Sequence, residues 1–287
     1  MSLPSDCLHC SNTLSPDTED DSFRDLIEHL SPPEKMAGLC WMAVVLAFSL
    51  SVGNTGAMDQ NKVQKLAKYI LNNCFLGEGQ VSLAVNFPAN LDQNSLHKIS
   101  EECALIKDKI GQQDGLYKGT IMVAAKHKTI QSKSRQPYTE HAEERVLDNM
   151  QHLAANSAGK SLIFYSFLSP CTKCTTQGGR HNILDKIKDK IDKKGWNDIA
   201  FVFSKVYTRT KNYKGDVPLF EDTIKTTLEN LGTTIFDDNI FHCYSPKRSP
   251  FKCIKCLSNA SPRHVDENCL TNEDDLYSSV GRVGAHI

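Results

Sequence analysis

Tyr138-Thr139-Glu140-His141-Ala142-Glu143-Glu144, followed downstream by Ser169-Pro170-Cys171-Thr172-Lys173-Cys174, is the part of the chain from which the rest can be ordered. It reads His-Ala-Glu, then twenty-six residues, then Pro-Cys-Thr-Lys-Cys. One imidazole and two thiolates give a tetrahedral zinc three protein ligands and leave a fourth position open to water, which is the arrangement of a catalytic site. A metal exposed in this way brings the pKa of water towards neutrality, and a carboxylate that does not bind the metal can carry protons to and from a reacting group. His141, Cys171 and Cys174 are the candidate ligands, and Glu143 is the candidate proton carrier. A redox or structural Cys-x-x-Cys is the alternative for the two thiols, but it leaves His141 without a part.

Spacing sharpens the geometry. His141 and Glu143 are two apart, about 200° around an ideal helix, so a metal held by His141 must lie off the helix end, where the first turn can direct both side chains inward. Cys171 and Cys174 are three apart, so a helix starting there would place both sulfurs on one face of its first turn, near amides that favour thiolate.

The flanks alternate helix and strand. Val63, Leu66, Ala67, Ile70 and Leu71 recur at helical spacing, residues 81–85 alternate as a strand, Leu96, Ile99, Cys103, Ile106 and Ile110 return to helical spacing, and residues 120–125 form a second strand. The charged, proline-containing stretch 126–138 reads as a loop into the helix near His141, whose inner face is Ala142, Val146, Met150 and Leu153. Residues 162–168 are a continuous apolar run, the pattern of a central buried strand, and they deliver Cys171 at their end. Helical spacing resumes through Ile183, Leu184, Ile187 and Ile191, a fourth strand covers 199–203, and Phe220, Ile224, Leu228 and Leu231 mark another helix. The fifth strand falls at 234–236 or at 240–243. A helix between the fourth and fifth strands permits a parallel crossover, which a hairpin would forbid.

The joint pattern resembles the signature of the cytidine deaminase-like superfamily, His-x-Glu followed by Pro-Cys-x-x-Cys. In motif and element order the resemblance covers roughly residues 60 to 245. It implies an α/β fold with a five-stranded mixed sheet sandwiched by helices, a Zn2+ cofactor on His141, Cys171 and Cys174, and Glu143 as general acid and base in hydrolytic deamination of cytosine or adenine. The parallel crossover favours the branch that resembles nucleic-acid and tRNA deaminases of the AID/APOBEC type, or the toxin-type branch. By the same resemblance Ala142 and Ser169 border the substrate, Ser169 holding its amine through the backbone carbonyl. Asn86 is placed to reach a ribose or base, with a turn-forming role ahead of Phe87-Pro88 as the alternative.

Substrate class rests on residues 205–214, where Lys205, Tyr207, Arg209, Lys211, Tyr213 and Lys214 interleave aromatics with cations. Such a loop can stack bases and hold phosphates of a single strand, and the resemblance to AID/APOBEC-like enzymes, in which the loop after the fourth strand lines the groove for nucleotides flanking the target, implies Tyr207, Arg209 and Tyr213 as candidate base contacts. A solvated loop with two packing tyrosines is the alternative. The basic-looking run 186–194 alternates its charges and turns its apolar residues to a core, so it reads as a solvated helix face. The expected partner is single-stranded DNA or RNA, or a free nucleoside. A catalytically inactive secreted protein stapled by zinc and disulfides is the third reading.

Composition excludes a fibrous or wholly disordered chain, since 40% of the 287 residues are hydrophobic and 23% charged. The net charge is −1, but residues 1–57 hold only Arg24 and Lys35 against eight acidic residues, which leaves 31 basic and 26 acidic residues in the remainder. That mild excess permits an anionic partner. Residues 1–35, acidic and rich in Ser, Pro and Asp, read as a disordered extension. Residues 39–52 are mostly apolar and shorter than the roughly 20 of a comfortable membrane span. With Met36 ahead of them and the small residues Gly53 to Ala57 behind, 36–57 reads as a signal peptide cleaved near Ala57, and the protein as secreted. A membrane anchor and a buried helix of an intracellular protein are the alternatives.

Cysteine usage bears on that choice. Beyond Ala57 and the candidate zinc pair stand Cys74, Cys103, Cys243, Cys253, Cys256 and Cys269, enough for three disulfides in an oxidising compartment. The competing pattern is Cys253-x2-Cys256-x7-His264-x4-Cys269, a second zinc site suited to a reducing one. The chain thus divides into 1–35, 36–57, a deaminase-like domain over 58–245 and a Cys-rich tail over 246–287.

Overall fold

The computed structural model describes residues 56–272, apart from 75–78, 113, 132–136, 180, 193, 213–214, 219–220, 236, 248 and 259–262. The expected extension 1–35, nearly all of the expected signal segment 36–57, and Tyr213 lie outside the described residues. The chain opens with a two-residue strand β1 (Gly56–Ala57), helix α1 (Gln60–Cys74), strand β2 (Val81–Pro88) and helix α2 (Gln93–Ile110). Strands β3 (Leu116–Lys118) and β4 (Met122–Lys126) follow, then a short ribbon of β5 (Lys128–Ile130) and β6 (Tyr138–Glu140). Helices α3 (Ala142–Asn149) and α4 (Gln151–Ala155) lead to β7 (Lys160–Leu168), and the short helix α5 (Leu184–Ile187), with a π-helical turn Lys188–Asp192, leads to β8 (Asp198–Lys205). A ribbon of β9 (Arg209–Asn212) and β10 (Gly215–Pro218) precedes helix α6 (Glu221–Ile235) and strand β11 (Ile240–Tyr244). The tail supplies β12 (Lys252–Lys255), β13 (Leu257–Ser258) and β14 (His264–Val265).

The main sheet has the order β12-β11-β8-β7-β2-β4-β3, with β1 also paired to β8, which makes eight strands. The five expected strands are β2, β4, β7, β8 and β11, and the crossover through α6 does run β11 parallel to β8, as β8 runs parallel to β7. The three further strands are too short to show a period of two, or, for β12, lie in a tail whose cysteines dominate its pattern. Cys243 and Cys253 stand opposite each other in the β11–β12 ladder and are bonded, so the tail completes the sheet.

Both faces of the sheet are covered, which is why β7 and β8 read as unbroken apolar runs. Ile163, Tyr165 and Val202 pack with α1 and α2 through Leu66, Ile70, Ile99 and Ile106. Leu162, Phe164 and Phe201 pack on the other face with Val146, Met150, Ile187 and Leu228. Cys74–Cys103 ties α1 to α2, and Cys256–Cys269 closes the tail on itself. With Cys253 bonded to Cys243 and His264 exposed on β14, the alternative second zinc site does not exist.

Three local expectations give way. Residues 126–138 are not a plain loop, because Lys128–Ile130 pairs with Tyr138–Glu140, and the loop expected at 205–214 contains the β9 strand of a second ribbon. No α-helix starts at Cys171. A single 3-10 turn, Thr172–Cys174, is followed by Thr175, Thr176, Gly178 at φ 69° and Gly179, poor helix formers that delay the helix to Leu184.

Candidate metal centre and its cleft

His141 is the N-cap of α3, with extended backbone angles φ −74° and ψ 152°, while Glu143 already belongs to the first turn. The imidazole therefore projects off the helix end, and two residues that an ideal helix would separate converge. His141 Nδ1 lies 3.1 Å from Cys174 Sγ and 3.7 Å from Cys171 Sγ. The three donor atoms sit within 4.8 Å of one another. Nitrogen and sulfur ligands of a tetrahedral zinc are about 3.5 Å apart, given their bond lengths of roughly 2.0 and 2.3 Å, so this donor set fits a zinc ion. Among the described residues no other His, Cys, Asp or Glu group has such a convergence.

The two thiols share a proton. Cys171 is pulled down to about 5 by the S–H of Cys174 and by the His141 ring, whereas Cys174 is pushed up because it keeps that proton and is buried. Thiolate character already present at one sulfur is what metal binding requires of both.

The imidazole is supported from behind. His181 stacks on His141 with ring centroids 4.8 Å apart, and its Nδ1 lies 3.3 Å from Glu144 Oε2. Lys186 Nζ donates to Glu144 Oε1 at 3.1 Å and to Asp148 Oδ2 at 2.7 Å. Lys186 thus leaves the solvated face expected of its run and joins a chain of contacts that holds the ring of His141, the kind of outer support a metal-binding imidazole uses. His181 and Glu144 had no sequence signal beyond the neighbourhood of Glu144 to the motif.

Glu143 is 2% exposed. Its Oε1 accepts hydrogen bonds from Gln80 Nε2 at 2.7 Å and from Ser166 Oγ at 2.9 Å, while Oε2 is buried without a hydrogen-bond partner. Burial pushes its pKa up, ahead of the opposing effect of the hydrogen bonds. Gln80 also donates to Ser166 Oγ at 2.7 Å and accepts from Leu168 N at 2.9 Å, so its amide orientation is set by β7. A lone glutamine ahead of a strand carries no pattern from which this role can be read.

An open cleft of roughly 510 Å³ has His141, Glu143 and Cys171 in its floor and Gln80, His127, Thr139, Ser169 and Tyr207 around its rim. Ser169 donates its N–H to Lys205 O at 2.7 Å and accepts from Tyr207 N at 2.9 Å, bonds that leave its carbonyl uninvolved. Asn272 grips the preceding residue, accepting from Val206 N at 2.9 Å and donating to Val206 O at 3.0 Å, so the tail helps to position Tyr207. Ala142 is fully buried and does not line the cleft. Asn86 lies apart from it: Nδ2 donates to Leu153 O at 2.8 Å and Oδ1 accepts from Trp196 Nε1 at 2.7 Å. It sits inside β2 paired with Leu162, which makes it a core tie, neither the expected substrate contact nor the turn former. Arg209 belongs to β9, its side chain outside the described residues, as is Tyr213 altogether.

Comparison with family models matches residues 60–273 to Secreted Novel AID/APOBEC-like Deaminase 1. The chain belongs to this family. No curated protein and no solved structure matches it. The matched region runs past residue 245 and through Asn272, so it takes in the cysteines of the tail. A family described as secreted agrees with three disulfides in one chain. Among the described residues no helix is long and apolar enough to cross a membrane.

Proposed function

We propose that this chain is a secreted, zinc-dependent hydrolase that deaminates a cytosine or adenine base in single-stranded nucleic acid. The observation that carries the reading is Glu143, a buried carboxyl group with one oxygen held by two donors and the other unpartnered, beside a His-Cys-Cys donor set at the floor of an open cleft. His141, Cys171 and Cys174 would hold Zn2+, which when bound supplies the Lewis acidity that activates water against the base.

The remaining steps belong to the chain. Glu143 takes the proton of the attacking water at Oε2, the oxygen with no other partner, and returns it to the ring nitrogen. A second transfer through the same oxygen lets the amine depart as ammonia while the ring carbon keeps the carbonyl oxygen. A carboxyl whose proton affinity is raised by burial can both accept and give back a proton near neutral pH. Gln80 and Ser166 hold Oε1 so that Oε2 keeps its aim through both transfers. Ser169, on the rim and with its carbonyl uninvolved in the bonds described, orients the substrate amine. Tyr207 offers a ring on which a base can stack, and the excess of basic over acidic residues beyond residue 57 suits an anionic strand.

Secretion fits a start at Met36 with cleavage ahead of Met58. Met58 is buried in the core, so the core begins at the expected cleavage point, and Gly56–Ala57, which pairs with β8, is the short strand that such a cleavage would remove.

The test is incubation of secreted 58–287 protein with single-stranded DNA, RNA and free nucleosides, followed by mass detection of the exchange of amine for carbonyl. Conversion within an oligonucleotide, absent in Glu143→Gln, is expected. Conversion of free nucleosides alone would move the reading to a small-substrate enzyme. Full zinc loading without turnover of any substrate would make the chain a binding protein.

A further inference from the structure

Eight cysteines follow Ala57, and six of them are joined in three disulfides. All six bonded cysteines are buried, whereas Cys171 is partly exposed and lines the Glu143 cleft. Cys174, its neighbour in the motif, is fully buried. In a chain built to hold disulfides, one reachable thiol therefore stands beside one enclosed thiol, three residues apart. That is the order in which a redox Cys-x-x-Cys works: the reachable sulfur attacks, and the enclosed one resolves the mixed disulfide.

The local backbone already brings the pair near bonding range. Cys174 N donates to Cys171 O at 2.8 Å, which closes a tight turn. The ends of such a turn lie within about 7 Å between Cα atoms, and a disulfide asks for roughly 4.4–6.8 Å. The sulfurs are themselves within 4.8 Å of each other. Ile183 N holds the end of the turn through Cys174 O at 2.8 Å, and the next α-helix starts only at Leu184. Closing an S–S bond here thus needs side-chain rotation and a small adjustment of one 3-10 turn. The cleft above Cys171, roughly 510 Å³ and open to solvent, has room for a molecule of small-ligand size.

We propose that Cys171 and Cys174 are a redox-active dithiol whose substrate is a small soluble disulfide such as glutathione disulfide, and that the pair holds either its own disulfide or a zinc ion. Cys171 Sγ, as thiolate, attacks one sulfur of glutathione disulfide; that S–S bond breaks and one glutathione leaves. Cys174 Sγ then displaces the second glutathione from Cys171 Sγ and closes the internal disulfide. Two protein thiols are oxidised, one glutathione disulfide is reduced, and the two thiol protons end on the two glutathiones. A disulfide has no thiolate to offer a metal, so of the three donors only His141 would remain. The two uses share both sulfurs and differ at His141, which has a part in the metal site alone. The inference rests on the donor set and the turn, and holds whichever base the cleft accepts, or none.

The experiment uses the secreted 58–287 protein, loaded with zinc and then stripped by a chelator without reductant, and glutathione disulfide as the oxidant. Thiols are counted by alkylation, digestion and mass spectrometry. Before oxidation the alkylated residues are expected to be Cys171 and Cys174. Afterwards neither is alkylated, and one peptide carries the Cys171–Cys174 bond. Zn2+ supplied at about one hundred times its dissociation constant is expected to slow the reaction about a hundredfold, because only the metal-free fraction reacts. The oxidised protein is expected to take up no zinc until a limited dose of thiol reopens the bond. Cys174→Ser is expected to stop at one glutathione held on Cys171, and Cys171→Ser to leave Cys174 unmodified. Thiols at 171 and 174 that stay alkylatable would overturn the assignment, as would oxidation at the same rate with zinc present. Glutathione on, or new pairing of, any of the six bonded cysteines would overturn it too, since the pair would then not act as a local dithiol. None of these readouts involves turnover of a base, so this assignment and the deamination reading fail separately.

Discussion

Glu143 shows what burying a carboxylate oxygen without a partner costs. Its Oε2 is buried without a partner, and burial raises its proton affinity above that of an unfolded glutamate near 4.3. In the metal-free protein the folded state therefore binds more protons than the unfolded state as pH rises past that value. Stability falls through the window up to the folded pKa, and above it the whole penalty is present. Glu143→Gln removes the charge and keeps an acceptor for Gln80 and Ser166. Calorimetry on metal-free protein is expected to find this variant melting above its parent at about pH 7, and level with it near about pH 4. An equal difference at both pH values would trace the effect to packing. Cys171→Ser acts in the other direction: one ligand of three is lost, and elemental analysis is expected to find zinc well below one per chain, with a lower melting temperature. Full occupancy in that variant would remove His141, Cys171 and Cys174 as the metal site.

Asn86 illustrates how an element can absorb a residue that its type offers for function. It lies within β2 and links that strand to the end of α4 through Leu153 and to Trp196 ahead of β8. Asn86→Ala leaves the Trp196 N–H buried without its acceptor, so a loss of about 1–3 kcal/mol in unfolding free energy is expected, with metal content and substrate KM unchanged. A raised KM at unchanged stability would restore it as a substrate contact. The elements that were legible in sequence are those with a long period and two buried faces: β2, β7, β8, α1, α2 and α6 all fall where apolar spacing puts them. What stayed hidden is local or remote. Gly178 and its neighbours decide that Cys174 ends a single turn, and the ribbons β5–β6 and β9–β10 are held by cross-strand pairing that polar residues do not advertise. In the site, the motif named the donors and Glu143. Gln80, Ser166 and His181 reach it from other elements, at separations no spacing rule covers.

At the scale of the molecule, the tail decides whether the motif-bearing layer can stand alone. Residue 245, where the motif-bearing pattern closes, is not where the core closes. Leu257, Val265 and Leu270 are buried at 3%, 4% and 9% exposure in the same cluster as Val146, Phe164 and Cys174. The β12 strand pairs with β11 and is gripped by α1, Gln60 Nε2 donating to Cys253 O at 2.7 Å and Cys253 N to Gln64 Oε1 at 3.1 Å. Burying three such side chains contributes roughly 5–9 kcal/mol, at about 1.5–3 kcal/mol each. That is comparable to the entire stability of a typical domain, about 5–15 kcal/mol, before the lost ladder and disulfides are considered. A 58–245 protein is therefore expected to be insoluble or to melt without cooperativity, whereas 58–272, which keeps both tail disulfides and Asn272, is expected to fold and bind zinc. Circular dichroism melts of the two, with zinc content measured alongside, separate the cases. A cooperative transition in 58–245 within a few degrees of the longer protein would show that the tail is an appendage, and the grip of Asn272 on Val206 would then be dispensable for the cleft.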